Sequence, residues 1–197
     1  MTSRNALLAL ALLCWPPAAA FAQPATMATP TVHVATGMTF PATIGEDARL
    51  IRSANSARAD NLPDRVFTWN YDVRKSLDGV ITVHISNLGQ TEIPTGPDSP
   101  LIEAEFEGGV FLMTQMFQRS RPLQTVKGPT DCTVAQLVFR CIAFLDTLPN
   151  GIPSYTMLLV TGYRNNVVLI SADWNGNAAP LSDAEAYFDR FVSTLIR

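Results

Sequence analysis

The chain contains two histidines, His33 and His84, the residue type that most often serves as a general base or a metal ligand. His84 lies between Thr82 and Ser86 on the polar side of an alternating segment, so a Ser-His-acid triad can be assembled around it on paper. No Gly-x-Ser-x-Gly motif accompanies it, and neither histidine has a partner at a defined spacing. We therefore predict two solvated surface histidines, no metal and no cofactor.

Three acidic residues have a spacing that suggests paired carboxylates for glycoside hydrolysis, or ligands of a metal ion: Glu103, Glu105 and Glu107. In a helix, residues two apart project about 200° from one another, so these carboxylates do not converge on one site. We expect ordinary solvated helix charges.

Asp173-x-Asn175-x-Asn177 agrees with a calcium-binding loop at three positions. Ala178 stands where that loop requires Gly, and Ala184 stands where it requires the terminal Glu. We therefore predict a turn that leads into the last helix, and no metal site.

Cys132 and Cys141 are nine residues apart, which is not the Cys-x-x-Cys spacing of a redox motif. Bridged Cα atoms lie ~5.5 Å apart, whereas nine residues span ~30 Å along a strand and ~13 Å along a helix. A disulfide therefore requires the chain to reverse or bulge between Thr133 and Arg140, where no Gly, Pro or Asn marks a turn. An oxidising compartment favours the disulfide, and a pair of buried thiols is the alternative.

Phe67, Trp69 and Tyr71 alternate with polar residues and share one face of a predicted strand, and Trp174 lies at the end of another strand. Two interpretations stay open for the first three: packing in the core, or lining of a concave apolar site for a lipid, a peptide or a small ligand. We expect Trp174 to be exposed because it lies at a strand end, and an exposed indole is often a contact residue. Trp69 and Trp174 are the candidate contacts with a ligand or a partner.

The N-terminus has the layout of a secretory signal peptide. Arg4 precedes an apolar run over residues 6–15, and small residues lead to a cleavage site between Ala22 and Gln23. The run is about half the ~20 residues that span a bilayer, so we expect cleavage and no integral membrane segment afterwards. The prediction is a signal peptide over 1–22, a flexible lead-in over 23–30, a single domain over 31–197, and a periplasmic location.

The composition is typical of a folded, mildly acidic domain. The 197 residues are 47% hydrophobic and 16% charged, which excludes a disordered chain. Removal of the signal peptide takes away Arg4 and changes the formal net charge from −3 to −4. The basic residues are dispersed, and Lys75 and Lys127 are the only lysines. Nucleic acid and anionic membrane surfaces are therefore poor candidates as partners.

Alternating and continuous apolar segments predict an antiparallel sheet. The predicted strands are 31–35, 49–52, 66–73, 80–86, 134–145, 155–162 and 167–172, with a hairpin turn at Asp78-Gly79. The predicted loops are 53–64, 93–100 and 121–131, each rich in polar residues, proline or glycine.

Two helices complete the prediction, over about 100–119 and 182–196. The first has Ser99 as its N-cap and an apolar stripe at Ile102, Phe106, Val110, Met113 and Phe117. Its weak point is Gly108-Gly109, which suggests a kink or close backbone packing. The second begins with a capping box at Ser182 and has a stripe at Ala184, Phe188, Phe191 and Leu195. The predicted fold class is α+β, an antiparallel sheet flanked by these two helices.

Several short segments, together with the terminal helix, carry a resemblance: Phe40-Pro41-Ala42-Thr43-Ile44-Gly45, Ile81-Thr82-Val83-His84-Ile85, Phe139-Arg140-Cys141, Ser154-Tyr155 and Leu159-Val160-Thr161-Gly162. Over most of the mature chain they resemble a family of uncharacterised exported proteobacterial proteins. The order of elements also resembles the Mog1/PsbP-like architecture, including the periplasmic DcrB-type proteins, in which an antiparallel sheet is flanked by helices. This second resemblance implies a binding or assembly-factor role rather than catalysis.

Three functions stay open. The first is a non-catalytic periplasmic protein that binds a protein or a cell-envelope component. The second is a small-ligand or lipid carrier with an apolar cleft between sheet and helices, which requires a largely apolar pocket of ~300 Å³ or more. The third is a hydrolase with a carboxylate-based site, which requires several convergent carboxyl groups with shifted pKa values.

Overall fold

The computed structural model describes residues 31–56, 66–117 and 123–196; the predicted signal peptide and lead-in lie outside these residues. The helices are α1 (Pro100–Phe117) and α2 (Leu181–Leu195). The strands are β1 (Thr31–His33), β2 (Met38–Phe40), β3 (Thr43–Ile44), β4 (Ala48–Ser56), β5 (Val66–Val73), β6 (Gly79–Ser86), β7 (Gln124–Val134), β8 (Leu137–Thr147), β9 (Pro153–Tyr163) and β10 (Asn166–Asn175).

Within the described part of the chain, strands β3 to β10 form one antiparallel sheet in the order β3-β4-β5-β6-β10-β9-β8-β7. Strands β1 and β2 pair with each other, and we call residues 31–40 the N-terminal hairpin. The predicted β5–β6 hairpin and the meander of β8, β9 and β10 are confirmed. The α+β prediction is therefore confirmed in outline, with a sheet larger than the sequence indicated.

The prediction of a loop over 121–131 is wrong from Gln124 onwards, because β7 runs from Gln124 to Val134. Its Pro129 and two register shifts against β8 are compatible with a strand since β7 lies at the edge of the sheet. An edge strand tolerates a missing N–H on its outer side. The predicted loop over 53–64 is also partly wrong, because β4 continues to Ser56 and residues 57–65 lie outside the described ones.

One face of the sheet, here the first face, is covered by α2 and the N-terminal hairpin. Its core holds most of the buried aromatic side chains, among them Phe40, Trp69, Tyr71, Phe188 and Phe191. The predicted α2 stripe is confirmed, since its four apolar residues are all buried in this core. The predicted capping box is wrong: the N-cap is Pro180, whose carbonyl accepts the first backbone hydrogen bonds of the helix, and no side chain caps it.

The opposite face, here the second face, is covered by α1 over β8, β9 and β10. Ile102 and Phe106 of α1 pack against Leu158 and Val160 of β9. The predicted cap of α1 is confirmed, because the Ser99 hydroxyl accepts a hydrogen bond from the Ile102 N–H at 3.2 Å. Over β5 and β6 the second face has half-buried polar side chains: Thr68, Asn70, Thr82 and His84.

Candidate functional site

A mainly apolar groove of about 400 Å³ lies where the N-terminal hairpin meets one end of the sheet. We call it the hairpin groove. The register brings the start of β5, the end of β6 and the start of β10 together at this end of the sheet. The groove is lined by Val32, His33, Val34, Ala35, Phe67, Asn87 and Asn166. Its volume falls in the range of small-ligand sites.

Aromatic packing and hydrogen bonds hold the hairpin against the sheet. The Phe40 ring lies parallel to the Trp69 ring, with centroids 3.6 Å apart. The Trp69 Nε1–H donates to Thr31 Oγ1 at 2.7 Å, and the Tyr71 hydroxyl donates to the Pro41 carbonyl at 2.9 Å. These contacts hold the end of the hairpin that contains Thr31 and Phe40 against β5.

Arg164 holds the other end of the hairpin. This residue lies in the tight turn between β9 and β10, and its Nη1 donates to the Thr36 carbonyl at 2.8 Å. The same guanidinium lies over the Tyr163 ring, 5.2 Å from its centroid. Gly37 leaves the space that this arginine needs, because a Cβ atom there would lie 2.8 Å from Arg164 Nη1. The hairpin is thus fixed at both ends, so the groove is preformed.

His33 forms part of the groove and is 5% exposed, so the prediction of a solvated surface histidine is wrong for this residue. The hairpin folds over the sheet and places the imidazole edge-on against Phe67, with centroids 4.7 Å apart. Burial lowers the pKa of His33, which keeps the ring neutral at neutral pH.

The tautomer of His33 follows from its hydrogen bonds. Nδ1 accepts from the backbone N–H of Thr36 and lies 2.9 Å from the Thr36 hydroxyl. Since Nδ1 accepts, the neutral ring carries its proton on Nε2. No described residue accepts a hydrogen bond from Nε2, so this N–H is available to a ligand.

Two amides add polar groups to the groove. The Asn166 Nδ2 donates to the Arg164 carbonyl at 2.7 Å, which leaves its Oδ1 as an acceptor. The Asn87 Oδ1 accepts from the Gly89 N–H at 3.1 Å, which leaves its Nδ2 as a donor. The lining residues carry no formal charge while His33 is neutral, and none offers a hydroxyl, thiol or carboxylate nucleophile. This chemistry suits an uncharged, mainly apolar group that has one or two hydrogen-bonding atoms.

The two tryptophans proposed as contacts are both in the core. Trp69 is 3% exposed and lies in the stack with Phe40, so the core interpretation holds for it. The expectation that Trp174 is exposed is wrong: it is 2% exposed, stacks on Tyr155 and donates from Nε1 to the Ala179 carbonyl at 3.0 Å. Phe67, on the same strand face as Trp69, is the aromatic residue that reaches the groove.

His84 is half-buried on the second face, and its Nδ1 lies 3.0 Å from the Thr68 hydroxyl. Burial lowers its pKa. Asp72 on β5 and Asp173 on β10 each lie four residues from the residue of that strand that pairs with His84. Four residues span ~13 Å along a strand. These two aspartates are therefore too far away to complete a catalytic triad around it.

The three glutamates of α1 have separate environments, as their spacing predicts. Glu103 Oε2 lies 3.3 Å from Arg140 Nε, and the same arginine pairs with Asp131 through Nη1 at 3.3 Å. Burial raises the pKa of Glu105, whereas Glu107 is exposed. No site with convergent carboxylates results from this helix.

Cys132 and Cys141 lie on β7 and β8 with their sulfur atoms at bonding distance and their Cα atoms 6.1 Å apart. The required reversal occurs at Ala135 and Gln136, whose φ angles of 51° and 68° are left-handed. Neither residue is a glycine or an asparagine, so the sequence does not mark this turn. The disulfide joins the edge strand β7 to the rest of the sheet.

The predicted turn before the last helix lies at residues 176–178, whereas Asp173 and Asn175 belong to β10. The Asp173 carboxylate accepts a hydrogen bond from the Thr156 hydroxyl, and Asn175 Oδ1 accepts from the Asn177 N–H at 3.0 Å. Asn175 Nδ2 donates to Asp78 at 3.0 Å. Each of the three residues therefore has a structural role at the sheet end that leads to α2.

No family model, curated protein or solved structure matches the chain. Among the described residues, no cluster of three or more histidine, cysteine, aspartate or glutamate side chains is placed to hold a metal ion. No described helix is both long enough and apolar enough to cross a membrane.

Two groove residues, His33 and Phe67, are candidates from the sequence alone. The lining valines Val32 and Val34 and the amides Asn87 and Asn166 are not. Val32 and Asn166, the first and last of these residues, are more than 130 positions apart in the sequence. The register of β5, β6 and β10 brings the lining residues of the sheet together. The available signal was the apolar alternation of 31–35, which predicted a strand but not what it covers.

Proposed function

We propose that the protein is a non-catalytic binding protein that holds a small, uncharged, mainly apolar ligand in the hairpin groove. The observation that supports this function is the groove itself, a preformed cavity of about 400 Å³ with apolar walls and the Nε2–H of His33, which no described residue accepts. The predicted carrier function required an apolar cavity of at least ~300 Å³, and the groove meets that size. The cavity lies under the N-terminal hairpin rather than between the sheet and the helices.

The ligand class follows from the lining. Val32, Val34 and Phe67 favour an aliphatic or aromatic group. The Nε2–H of neutral His33 favours a carbonyl or ether oxygen on that group, because burial of an unpaired donor is costly. A formal charge on the ligand is disfavoured, since no lining side chain would neutralise it. An ester, ketone or amide with an apolar substituent, as in envelope lipids, has these properties.

A periplasmic location is part of the proposal and rests on the predicted signal peptide. We expect the protein in the periplasmic fraction with Gln23 as its first residue. Fractionation followed by N-terminal sequencing tests this, and recovery of the chain in the cytoplasm with residues 1–22 attached would contradict it.

Fluorescence titration with prodan, an uncharged naphthyl ketone, tests the ligand site. We expect saturable binding with a blue shift, and Val34→Asp should weaken it at least about tenfold because the bound probe would cover and desolvate the carboxylate. Val34 is 92% exposed in the free protein, so this variant should fold normally. The control is Leu148→Asp, at an apolar residue that is 38% exposed and lies outside the groove, in the turn between β8 and β9. Absence of binding, or equal effects of the two substitutions, would refute the proposed site.

A further inference from the structure

The outer edge of β4 pairs with other described residues only at its beginning. Strand β3 has only two residues and pairs with Ala48 and Arg49, and the Leu50 N–H adds one bond to the Ala42 carbonyl at 2.9 Å. Beyond Leu50, no described strand pairs with the outer side of β4, although β4 continues to Ser56. Residues 51–56 span ~20 Å, and alternate peptide groups of a strand point to each side. This edge is therefore a template for an additional strand.

The exposed edge is positively charged. Arg49 and Arg52 are both exposed, and neither forms an ion pair with a described residue. Asp72, the cross-strand neighbour of Arg49, is bound by Arg74 at 2.6 Å, and Arg52 has the neutral neighbour Asn70. No residue of β4 is acidic. The two guanidinium groups are thus available to an acidic partner.

A register shift places both arginines on the same side of the sheet. Between Leu50 and Arg52 the pairing with β5 shifts by one residue, and Ile51 is the extra residue. Arg49 pairs with Asp72 and Arg52 with Asn70, two residues apart on β5, so both lie on the second face. Ile51 is 51% exposed and adds an apolar contact at this edge.

We infer that the outer edge of β4 binds an acidic, extended peptide segment of another protein by strand addition. Main-chain hydrogen bonds to residues 51–56 supply the pairing, and Arg52 and Arg49 select carboxylate side chains. A second copy of this chain is disfavoured as the partner. Antiparallel pairing of two β4 edges would bring the arginines of both copies together on one side, and like charges across strands are destabilising.

The opposite edge of the sheet provides a useful contrast. On β7, Lys127 pairs with Glu185 and Asp131 pairs with Arg140. Pro129 removes one N–H, and two register shifts interrupt the strand. Bulges, proline and charged side chains are common means of protecting an edge. The edge of β4 has one bulge and no proline, and its two arginines form no ion pair with a described residue. These like charges disfavour a basic strand and favour an acidic one.

NMR titration of the full chain with designed peptides tests the inference. The probe is Thr-Glu-Val-Glu-Val-Thr with blocked ends, and the charge control is Thr-Lys-Val-Lys-Val-Thr. We expect the acidic peptide to shift the amide resonances of residues 51–56, to slow hydrogen exchange of the outward-facing amides among them, and to bind at least about tenfold more tightly than the basic one. Alternate N–H groups of the peptide face opposite sides, so two N-methylated peptides are compared, one methylated at both glutamates and one at both valines. Main-chain pairing predicts that one of the two fails to bind, and equal binding of both would overturn it.

Charge reversal gives the decisive comparison. The double variant Arg49→Glu/Arg52→Glu should reverse the preference between the two peptides, whereas Arg190→Glu, at an exposed arginine of α2, should leave it unchanged. Equal binding of both peptides, or shifts confined to other residues, would overturn the inference. Two further outcomes would also overturn it: outward-facing amides of 51–56 that are already protected in the free monomer, since the chain's own residues would then cover the edge, or protection of these amides that rises with protein concentration, since a second copy would then be the partner.

Discussion

The indole of Trp69 lies flat on the phenyl ring of Phe40, with an angle of 3° between the ring planes. Trp69 belongs to the central part of the sheet, and Phe40 ends the N-terminal hairpin. Both rings are buried in the first-face core. This contact joins a short two-stranded hairpin, which is marginally stable alone, to a large sheet. The hairpin groove depends on it, because four of its lining residues belong to the hairpin.

Truncation of this stack should destabilise the fold and remove the groove. We expect Phe40→Ala to cost about 3–5 kcal/mol of unfolding free energy, since a buried ring is lost. Trp69→Phe keeps an aromatic ring but loses the hydrogen bond to Thr31, which costs about 1 kcal/mol. Urea denaturation measures both values.

Prodan binding separates loss of the groove from general destabilisation. Ile102→Ala is the matched control, because Ile102 is fully buried in the second-face core under α1. We expect it to lower stability comparably and to leave prodan affinity unchanged, whereas Phe40→Ala should lower affinity under conditions in which both variants are folded. Equal affinity in the two variants would show that the hairpin does not form the site.

The disulfide between Cys132 and Cys141 should be present in protein purified without reductant. Alkylation without reduction is expected to leave both sulfurs unlabelled, and mass spectrometry of the peptides detects this. Reduction should lower the unfolding free energy by about 2–3 kcal/mol, the range for a short loop. A Cys132→Ala/Cys141→Ala double variant should not respond to the reductant. Labelling of both thiols in the untreated protein would contradict the bond.

The sequence predicted those elements whose patterns are local. The α2 stripe, the β5–β6 hairpin and the Ser99 cap all depend on residues within a few positions of one another, and all three are confirmed. The strand β7 was missed because Gly128 and Pro129 are typical of loops, and only its edge position makes them tolerable. Whether a strand lies at the edge of a sheet depends on the whole fold, so it cannot be predicted from the residues of that strand alone.

The candidate site was predictable only in part, for the same reason. His33 looked solvated because it lies near the start of the predicted domain and has no partner at a defined spacing. Its burial comes from Phe67 and Trp69, more than 30 residues away. Trp174 looked exposed because it ends a strand. Its indole is buried by Tyr155 and Phe188, which come from β9 and α2. Neither contact leaves a pattern in the local sequence.

Stability should fall as the pH drops below the ordinary imidazole pKa. Burial lowers the pKa of both His33 and His84 from 6.5, so the unfolded chain takes up protons that the folded chain does not. Above pH 6.5 the neutral rings make their full contribution to the unfolding free energy. This contribution is lost as the pH falls from 6.5 towards the lowered pKa values of the folded protein. Thermal unfolding between pH 7.5 and 5 measures the effect.

The matched variant is His33→Asn/His84→Asn, because an asparagine amide can replace the Nδ1 contacts with Thr36 and Thr68. We expect its melting temperature to depend less on pH than that of the natural protein. Asp173 and Glu105 have raised pKa values, so their protonation at lower pH increases stability. Both residues are present in the natural protein and in the variant, so they do not affect the comparison. Identical pH profiles would show that neither imidazole is buried in the neutral form.

The two adjacent glycines of α1 should respond in opposite ways to alanine. A Cβ atom at Gly108 would meet open space, so Gly108→Ala should stabilise the protein by about 1 kcal/mol through helix propensity. A Cβ atom at Gly109 would lie 2.8 Å from Leu158 Cδ2, in the core between α1 and β9. Overpacking there costs about 1–3 kcal/mol, so Gly109→Ala should be less stable than Gly108→Ala by that amount. Urea denaturation of the two variants gives the difference directly, and equal stabilisation by both substitutions would show that α1 does not approach β9 at Gly109.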